Sequence, residues 1–76
     1  MELTKPLDVL NIARNNQVLV ELKNGVQFMG ILKTFDIHLN TVLDEGKEII
    51  DGNISRSLGR LLIRGDMIKF ISPQKN

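Results

Sequence analysis

The chain has 76 residues, with 10 Lys and Arg, 9 Asp and Glu, one His and no Cys, and its net charge at neutral pH is +1. This length predicts one small domain over residues 1–76, whose modest core usually needs a disulfide, a metal or a partner chain for stability. Because Cys is absent and a single His cannot hold zinc alone, disulfides and zinc sites are excluded, and oligomerisation remains as the stabilising device.

The first predicted element is an N-terminal helix over residues 5–15. Thr4 is a suitable N-cap, and Pro6 lies in the first turn, where its missing N–H does no harm. The helix carries five apolar residues, which are Leu7, Val9, Leu10, Ile12 and Ala13. They cover a wider arc than a helix on one sheet needs, so we expect contact with a neighbouring subunit as well as with its own barrel.

Two strands follow, joined by a tight hairpin. Alternating Val18, Val20 and Leu22 indicate the first strand. Asn24-Gly25 predicts a primed hairpin turn, because these residues accept the positive φ angles that such turns require. The second strand is expected over residues 26–35.

Gly30 interrupts the second strand. A glycine inside a strand often marks a bend or a bulge. A bent strand would allow a small sheet to curl into a barrel.

Three further strands are predicted, over residues 40–50, 55–63 and 67–71, the last of them ended by Ser72-Pro73. Residues 51–53 form a turn between the first two, and Arg64-Gly65-Asp66 forms a turn between the others. A helix followed by five short strands predicts a mainly β fold, a small and strongly bent antiparallel barrel.

The last two strands are apolar, at residues 61–63 and 67–71. An exposed apolar edge aggregates unless it is paired or covered. Pairing with the edge of the next subunit, repeated head to tail, would close a ring. Phe28, Phe35 and Phe70 lie in apolar stretches that suit core packing, and Trp and Tyr are absent, so a binding platform of exposed aromatic rings is not expected.

Two polar clusters interrupt these apolar stretches, residues 36–40 and residues 64–66. Polar groups in connections between buried strands are where a small scaffold usually places its binding residues. His38 offers a ring for stacking, Asn40 offers an amide donor and acceptor, and Arg64 offers a planar, permanently charged guanidinium. This combination predicts a nucleobase site.

The same clusters carry a resemblance to the Sm and Sm-like (LSm) family. Residues 17–43 resemble its first motif, with Leu22, Asn24-Gly25, Gly30, Leu32 and the run from Phe35 to Asn40. Residues 58–71 resemble its second motif, with Leu62-Ile63-Arg64-Gly65-Asp66-Met67-Ile68, and a short variable loop over residues 51–54 lies between them. The two motifs in this order identify the chain as similar to that family from about Pro6 to Pro73.

The resemblance implies an N-terminal helix on a bent five-stranded sheet, rings built by pairing of the fourth strand with the fifth, and uridine-rich single-stranded RNA held around a central pore. It implies a role in RNA processing or ribonucleoprotein assembly. The second motif is of the archaeal and eukaryotic kind, which favours a homo-oligomeric heptamer. Leu39 stands where methionine is commoner, a swap of similar volume. The lack of a basic tail makes the chain most similar to compact archaeal members.

The resemblance also implies roles for individual residues. His38 and Arg64 would stack on the base, and Asn40 would read the O4 and N3–H edge of uracil. Gly65 would let the backbone turn and approach the ligand closely. Because Asp36 and Asp66 are acidic, they would hold Asn40 and Arg64 in place rather than contact phosphate.

Simpler interpretations of the same residues exist. Asp36 and Asn40 are common turn residues, His38 suits a partly buried loop, and Arg64-Gly65-Asp66 suits a hairpin turn with an exposed charge. Ser55 and Ser57 stand in no nucleophile motif, and no paired acids or phosphate loop accompany them, so we expect no enzyme and no cofactor.

The charges are distributed unevenly along the chain. Residues 1–55 carry five basic and eight acidic side chains, whereas residues 56–76 carry five basic side chains and one acidic one. This asymmetry favours a positive surface aimed at a phosphate backbone, although solvated surface charges explain Arg56, Arg60 and Lys75 equally well.

The remaining expectations concern location and the main alternative. No apolar run approaches the roughly 18 residues of a membrane span, and residues 1–11 lack the regions of a signal peptide. We therefore expect a cytoplasmic protein with no membrane partner. The alternative to an RNA-binding ring is a scaffold ring that presents a surface to protein partners, for which the nucleobase site would not be needed.

Overall fold

The computed structural model describes residues 5–74. Its elements are α1 (Pro6–Ala13), β1 (Gln17–Leu22), β2 (Gln27–Phe35), β3 (Thr41–Ile50), β4 (Asn53–Ile63), a 3-10 helix (Gly65–Met67) and β5 (Ile68–Pro73). The strands form one sheet in the order β4-β3-β2-β1-β5, and every neighbouring pair is antiparallel. The predicted fold, a helix followed by a five-stranded antiparallel sheet, is confirmed.

Helix α1 is shorter than the sequence predicts. Its N-cap position is Lys5, whose side chain makes no capping hydrogen bond, and the predicted cap Thr4 lies outside the described residues. The helix ends at Ala13 rather than at Asn15, because Arg14 already has an extended ψ of 136°. Asn15 then adopts a left-handed φ of 68°. The backbone N–H of Asn15 then bonds to the carbonyl of Leu32 at 2.7 Å, which ties the end of the helix to β2.

The primed turn lies at a different hairpin from the predicted one. Between β1 and β2 only Gly25 has a positive φ, of 89°, and the side chain of Asn24 accepts the backbone N–H of Val26 at 3.1 Å. The positive pair is Asp51 and Gly52 between β3 and β4, with φ angles of 52° and 81°. Either dipeptide tolerates such angles, so composition alone did not distinguish the two hairpins.

The predicted bend at Gly30 is present. The strand register shifts between Met29 and Ile31, and a Cβ on Gly30 would lie 2.8 Å from the carbonyl oxygen of Asp44. The facing strand β3 is irregular at the same level, where Glu45 has a φ of 52°. These two irregularities curl the sheet, as bulges and strand glycines do in small barrels.

The core lies where α1 packs on the sheet. Its centre is formed by Val18, Val20, Leu32 and Leu43, which are fully buried, and it is completed by Leu10, Ala13 and Ile63. Burying one aliphatic side chain of this size contributes about 1.5–3 kcal/mol. The predicted strand alternation in β1 therefore reflects real burial, with Val18 and Val20 on the core face.

Strands β4 and β5 are the two edges of the sheet. Phe28 and Phe35 pack against the core as predicted, but Phe70 on β5 is 41% exposed, so its assignment to the core is wrong. Leu62 on β4 is 66% exposed. Both edges thus present apolar side chains beside unpaired backbone groups.

Strands β2 and β3 each begin one residue later than predicted, and β4 and β5 differ more. Strand β4 begins at Asn53, so only Asp51 and Gly52 of the predicted variable loop lie between strands. Strand β5 begins at Ile68 and continues through Ser72 to Pro73, where the sequence predicted its end. Pro73 is tolerated because β5 is an edge strand, and a proline there leaves no interior ladder bond unmade.

Candidate nucleic-acid interface

The loop between β2 and β3 is organised by the carboxylate of Asp36. Its Oδ1 accepts the backbone N–H groups of His38 at 2.9 Å and of Asn40 at 3.0 Å. Backbone bonds close the same loop, from Leu39 N–H to the Asp36 carbonyl and from Asp36 N–H to the Asn40 carbonyl. Turn chemistry is therefore present at Asp36, and it fixes the positions from which His38 and Asn40 project.

Leu39 adopts a left-handed φ of 62°, which is uncommon for a residue with a branched side chain. Its side chain packs against the core, and its carbonyl accepts the hydroxyl of Thr41 at 2.7 Å. Thr41 is fully buried, and sequence reasoning missed its role. The sequence feature that could have indicated this role is a hydroxyl group at the first position of a buried strand, because a buried hydroxyl needs a nearby hydrogen-bond acceptor.

The side-chain amide of Asn40 has one orientation. Its Oδ1 accepts the backbone N–H of Gly65 at 2.8 Å, and its Nδ2 donates to Asp36 Oδ2 at 3.0 Å. A backbone N–H can only donate and an ionised carboxylate can only accept, so these partners fix which end of the amide is oxygen. One N–H and one lone pair of Asn40 remain for a ligand.

The Asn40 amide also affects the ionisation of Asp36. Its hydrogen bond is the largest of the causes that hold the pKa of Asp36 below its ordinary value. Desolvation is the next largest and opposes it, and the backbone N–H groups of Asn40 and His38 lower the pKa further. Hydrogen bonds to the charged form favour that form. Asp36 is thus ionised at neutral pH, as the orientation of Asn40 requires.

Gly65 lies directly against the loop that contains His38. A Cβ at Gly65 would overlap the carbonyl oxygen of His38 and would lie 2.8 Å from the carbonyl carbons of His38 and Leu39. Its φ is not in the left-handed region. The glycine is therefore required by close backbone approach to residues 38–39, rather than by the unusual backbone turn that the sequence suggested.

Arg64 projects from the end of β4 and remains mostly exposed. Its Nη2 lies 3.4 Å from Asp66 Oδ2, with 77% and 64% of the two side chains exposed. An exposed pair of this kind contributes little, typically about 0–1 kcal/mol. Asp66 accordingly restrains Arg64 weakly, and the guanidinium keeps the freedom to cover a ligand.

The structure brings five of the six predicted site residues together around one open cleft of about 410 Å³, which is lined by His38, Asn40, Arg64, Gly65 and Asp66. The sixth, Asp36, holds Asn40 from behind. Ile37, next to His38, is 80% exposed and was not singled out from the sequence. A turn was predicted at Arg64-Gly65-Asp66, with a plain hairpin turn as the simpler interpretation. The connection is the 3-10 helix Gly65–Met67, and the hairpin interpretation is wrong because β4 and β5 lie at opposite edges of the sheet.

The predicted excess of positive charge in the C-terminal part is largely compensated locally. Four basic residues there have acidic partners, in the pairs Arg56–Glu48, Arg60–Asp44, Arg64–Asp66 and Lys69–Glu21. The Arg60 hydrogen bond lowers the pKa of Asp44. Lys75 lies outside the described residues. A broad basic surface is therefore not what distinguishes this cleft.

Within residues 5–74, no group of three His, Cys, Asp or Glu side chains is placed to hold a metal ion. Over the same part of the chain, no helix has the length and apolarity needed to span a membrane. The cleft places two groups that can stack, His38 and Arg64, beside an amide that can form directional hydrogen bonds, Asn40.

Known proteins match this chain along most of its length. A family model described as the LSM domain matches residues 8–73. A protein of Methanococcoides burtonii named as an snRNP Sm-like protein is 48% identical over 69 residues, covering 91% of this chain and 96% of that protein. A Pyrococcus abyssi Sm protein solved in complex with a uridine heptamer is 44% identical with a TM-score of 0.91, covering 93% and 100% of the two chains. A heptameric archaeal Sm protein is 40% identical with a TM-score of 0.84, covering 90% and 98%.

Proposed function

The chain belongs to the LSM (Sm-like) family, and from that premise we propose that it forms a closed homoheptameric ring that binds uridine-rich single-stranded RNA. Each subunit contributes one nucleobase site, the cleft of His38, Asn40 and Arg64. The observation that carries the proposal is the fixed amide of Asn40 at the floor of a cleft with two stacking groups. The cellular role is RNA processing or ribonucleoprotein assembly.

Ring formation is supported by the two free edges of the sheet. Strands β4 and β5 end the sheet on opposite sides, and each carries exposed apolar side chains, including Leu62 and Phe70. Joining β4 of one subunit to β5 of the next pairs both edges and covers these side chains. Because the contact joins two different edges head to tail, every edge in the assembly is paired only when the subunits close into a ring. Seven subunits is the number named for the related archaeal protein.

Base recognition follows from the free groups of Asn40. Its remaining N–H can donate to an acceptor and its remaining lone pair can accept from a donor, which is the pattern that O4 and N3–H of uracil present. Stacking by His38 and Arg64 supplies about 1–3 kcal/mol per base without selecting its identity. Selection for uracil therefore rests on Asn40.

The fixed amide also discriminates against cytosine. Cytosine presents an amino donor where uracil has O4, so it would suit an amide rotated by 180°. That rotation would turn Nδ2 toward the N–H of Gly65 and Oδ1 toward the carboxylate of Asp36. Two hydrogen bonds, each contributing about 0.5–1.5 kcal/mol, would be replaced by two repulsive contacts.

Affinity arises from repetition of the site. A single stacked and hydrogen-bonded base binds weakly, but linked bases on one strand raise avidity by roughly 10²–10⁴ when they reach adjacent sites together. A ring places identical clefts at equal spacing around one pore. We therefore expect tight binding only for strands long enough to occupy several subunits.

Fluorescence anisotropy with labelled oligouridine and oligocytidine at one salt concentration tests this function. We expect the wild-type protein to bind oligouridine more tightly, and Asn40→Ala to bring the two affinities closer together. The control is Asn11→Ala, because Asn11 is an exposed amide on α1 whose Oδ1 accepts a hydrogen bond from the nearby Arg14 and which does not line the cleft. Equal affinity of the wild type for both oligomers would remove the base-reading role of Asn40 and would favour the scaffold alternative.

Two further assignments complete the proposal. We place the protein in the cytoplasm, which the absence of Cys supports. We assign it no catalytic activity, because binding accounts for the residues of the cleft. The absence of catalytic activity can be tested by incubating the ring with labelled oligouridine and analysing the RNA on a gel. Cleavage of the RNA by the wild type but not by Arg64→Ala would contradict this assignment.

A further inference from the structure

The turn that carries His38 also carries Ile37, whose side chain projects into solvent. Ile37 is 80% exposed, the largest exposed fraction among the large apolar side chains of residues 5–74. Leu39, two residues later, packs against the core, whereas Ile37 does not. Turns favour small and polar residues, so an exposed, branched apolar side chain at this position contributes nothing to the turn itself.

The turn holds Ile37 in one place beside the cleft. Ile37 and His38 are its two central residues, since the backbone N–H of Leu39 bonds to the carbonyl of Asp36 at 3.0 Å. Neither central residue has a positive φ, which excludes the type II and primed turns and fits type I. His38 lines the cleft and Ile37 does not, so Ile37 stands just outside the place where a base would bind.

The backbone of Ile37 carries a free donor. The other four N–H groups of this loop are all bonded: that of Asp36 to the carbonyl of Asn40, that of Leu39 to the carbonyl of Asp36, and those of His38 and Asn40 to the carboxylate of Asp36. The N–H of Ile37 has no bonding partner in the part of the chain that the structure describes. Backbone N–H groups are common ligands of phosphate in nucleic-acid complexes.

The acidic group beside this donor is already compensated. The carboxylate of Asp36 accepts three N–H groups, from the backbone of His38 and from both the backbone and the side chain of Asn40. Arg64, which lines the same cleft, is a permanent cation held only weakly by its exposed pair with Asp66. A phosphate at the turn would therefore meet a free donor and a mobile cation.

The position of Ile37 fits the part of a nucleotide that lies next to its base. Consecutive Cα atoms are about 3.8 Å apart, so the sugar and phosphate attached to a base on His38 are within reach of Ile37. We infer that Ile37 binds the ribose–phosphate backbone of the RNA strand, with its side chain against the apolar face of the ribose and its N–H donating to a phosphate oxygen. The inference rests on the proposed RNA binding and adds to it a contact that is independent of base identity.

Fluorescence anisotropy with a labelled uridine heptamer tests the side-chain contact. Ile37→Ser removes the apolar group, keeps the N–H and suits a turn, and we expect it to weaken binding about tenfold or more, because the loss repeats at every occupied subunit. Ile37→Leu keeps the apolar surface and should bind within about threefold of the wild type. The ratio of oligouridine to oligocytidine affinity should be unchanged in Ile37→Ser, in contrast to Asn40→Ala.

The N–H contact needs a different variant. Ile37→Pro removes the donor and keeps an apolar ring, and proline is favoured at the second position of a type I turn. The probe is a uridine heptamer with methylphosphonate linkages, in which a methyl group replaces one charged oxygen of each phosphate. We expect this replacement to weaken binding by the wild type more than binding by Ile37→Pro, whose contact to the phosphate is already lost.

The matched control is Ile50→Ser. Ile50 is 43% exposed, ends the interior strand β3 and does not line the cleft, so its replacement should alter the affinity for the heptamer less than about threefold. Wild-type affinity in Ile37→Ser, or equal losses in Ile37→Ser and Ile50→Ser, would overturn the ribose contact. A fall in the thermal unfolding midpoint of Ile37→Ser that accounts for its weaker binding would overturn it too.

The remaining outcomes separate the phosphate contact from the function on which it rests. Equal effects of the methylphosphonate linkages on the wild type and on Ile37→Pro would overturn the contact between the Ile37 N–H and phosphate. A wild type that does not bind the unmodified uridine heptamer would instead overturn the proposed function itself.

Discussion

The side-chain oxygen of Asn40 accepts the backbone N–H of Gly65 at 2.8 Å, across 25 positions of sequence. This bond joins the loop after β2 to the turn after β4, so the two polar clusters form one structural unit. Because Asp36 holds the other end of the same amide, the group that we propose reads the base has both of its ends fixed. Rigid hydrogen-bonding groups discriminate better than mobile ones, since a wrong ligand leaves buried partners unsatisfied.

Replacement of Asp36 should loosen this arrangement. In Asp36→Asn, an NH₂ group replaces one carboxylate oxygen and cannot accept a hydrogen bond. The side chain at position 36 can then no longer accept from both the backbone N–H and the side-chain Nδ2 of Asn40, so the Asn40 amide loses a partner that orients it. We expect the ratio of oligouridine to oligocytidine affinity, measured by anisotropy, to fall about threefold to tenfold. Asp66→Asn removes the same charge from the cleft next to Asp36 and should leave the ratio unchanged, because the ion pair of Asp66 is with the exposed Arg64. Equal ratios for wild type and Asp36→Asn would show that Asp36 does not orient the amide.

Gly65→Ala should damage both the fold and the site. The added methyl group would overlap the His38 carbonyl, and separating the two segments would break the bond from Gly65 to Asn40. We expect a loss of about 1–3 kcal/mol in the free energy of unfolding, as for other overpacked sites, and weaker binding of oligouridine. Gly52→Ala is the comparison: its methyl group would meet no neighbouring atom, although the φ of 81° strains it. Gly52→Ala should therefore lose stability and keep its affinity for RNA. If Gly65→Ala also kept its affinity for RNA, Gly65 would not contribute to the binding site.

Arg64→Ala should weaken binding to oligouridine and oligocytidine alike, because stacking by a guanidinium does not depend on base identity. Arg60→Ala is a matched control, since both arginines are exposed and each pairs with an aspartate, but Arg60 does not line the cleft. A common electrostatic effect would weaken binding equally in the two variants. The stacking role of Arg64 requires a clearly larger loss for Arg64→Ala.

Acid should release the loop that Asp36 organises. Its pKa is lowered in the folded protein, chiefly by the Asn40 side chain, so its contribution to stability is complete above the ordinary carboxyl pKa of about 3.9 and is lost as the pH falls through the lower folded value. We expect the difference in thermal unfolding midpoint between wild type and Asp36→Asn to be constant from pH 7 to pH 5 and to shrink below about pH 4. A difference that persists unchanged to pH 2 would assign the effect of the substitution to packing instead.

The sequence predicted the architecture because its strongest patterns reflect burial. Alternation at Val18 and Val20 and the interruption at Gly30 report directly on the core face and the bend. The errors occurred where short-range preferences are degenerate. Asn24-Gly25 and Asp51-Gly52 both permit positive φ angles, and only the lengths and registers of the paired strands decide which hairpin uses them.

The sequence predicted which side chains would lie together but not how they are held. His38, Asn40 and Arg64 line one cleft, yet the pairing of Asn40 with a backbone N–H could not be inferred, because every residue except proline carries that donor. The steric need for Gly65 likewise depends on how closely residues 38–39 approach it. Contacts between segments distant in sequence require the three-dimensional structure.

The central claim is that identical clefts on one ring hold one strand of uridine-rich RNA together, and native mass spectrometry with a seven-nucleotide oligouridine tests it most directly. We predict a seven-subunit species without RNA and the same species carrying a single strand when RNA is added. Oligocytidine at the same concentration and salt should leave most rings empty. A folded monomer at micromolar concentration, or seven strands bound independently to one ring, would contradict the account.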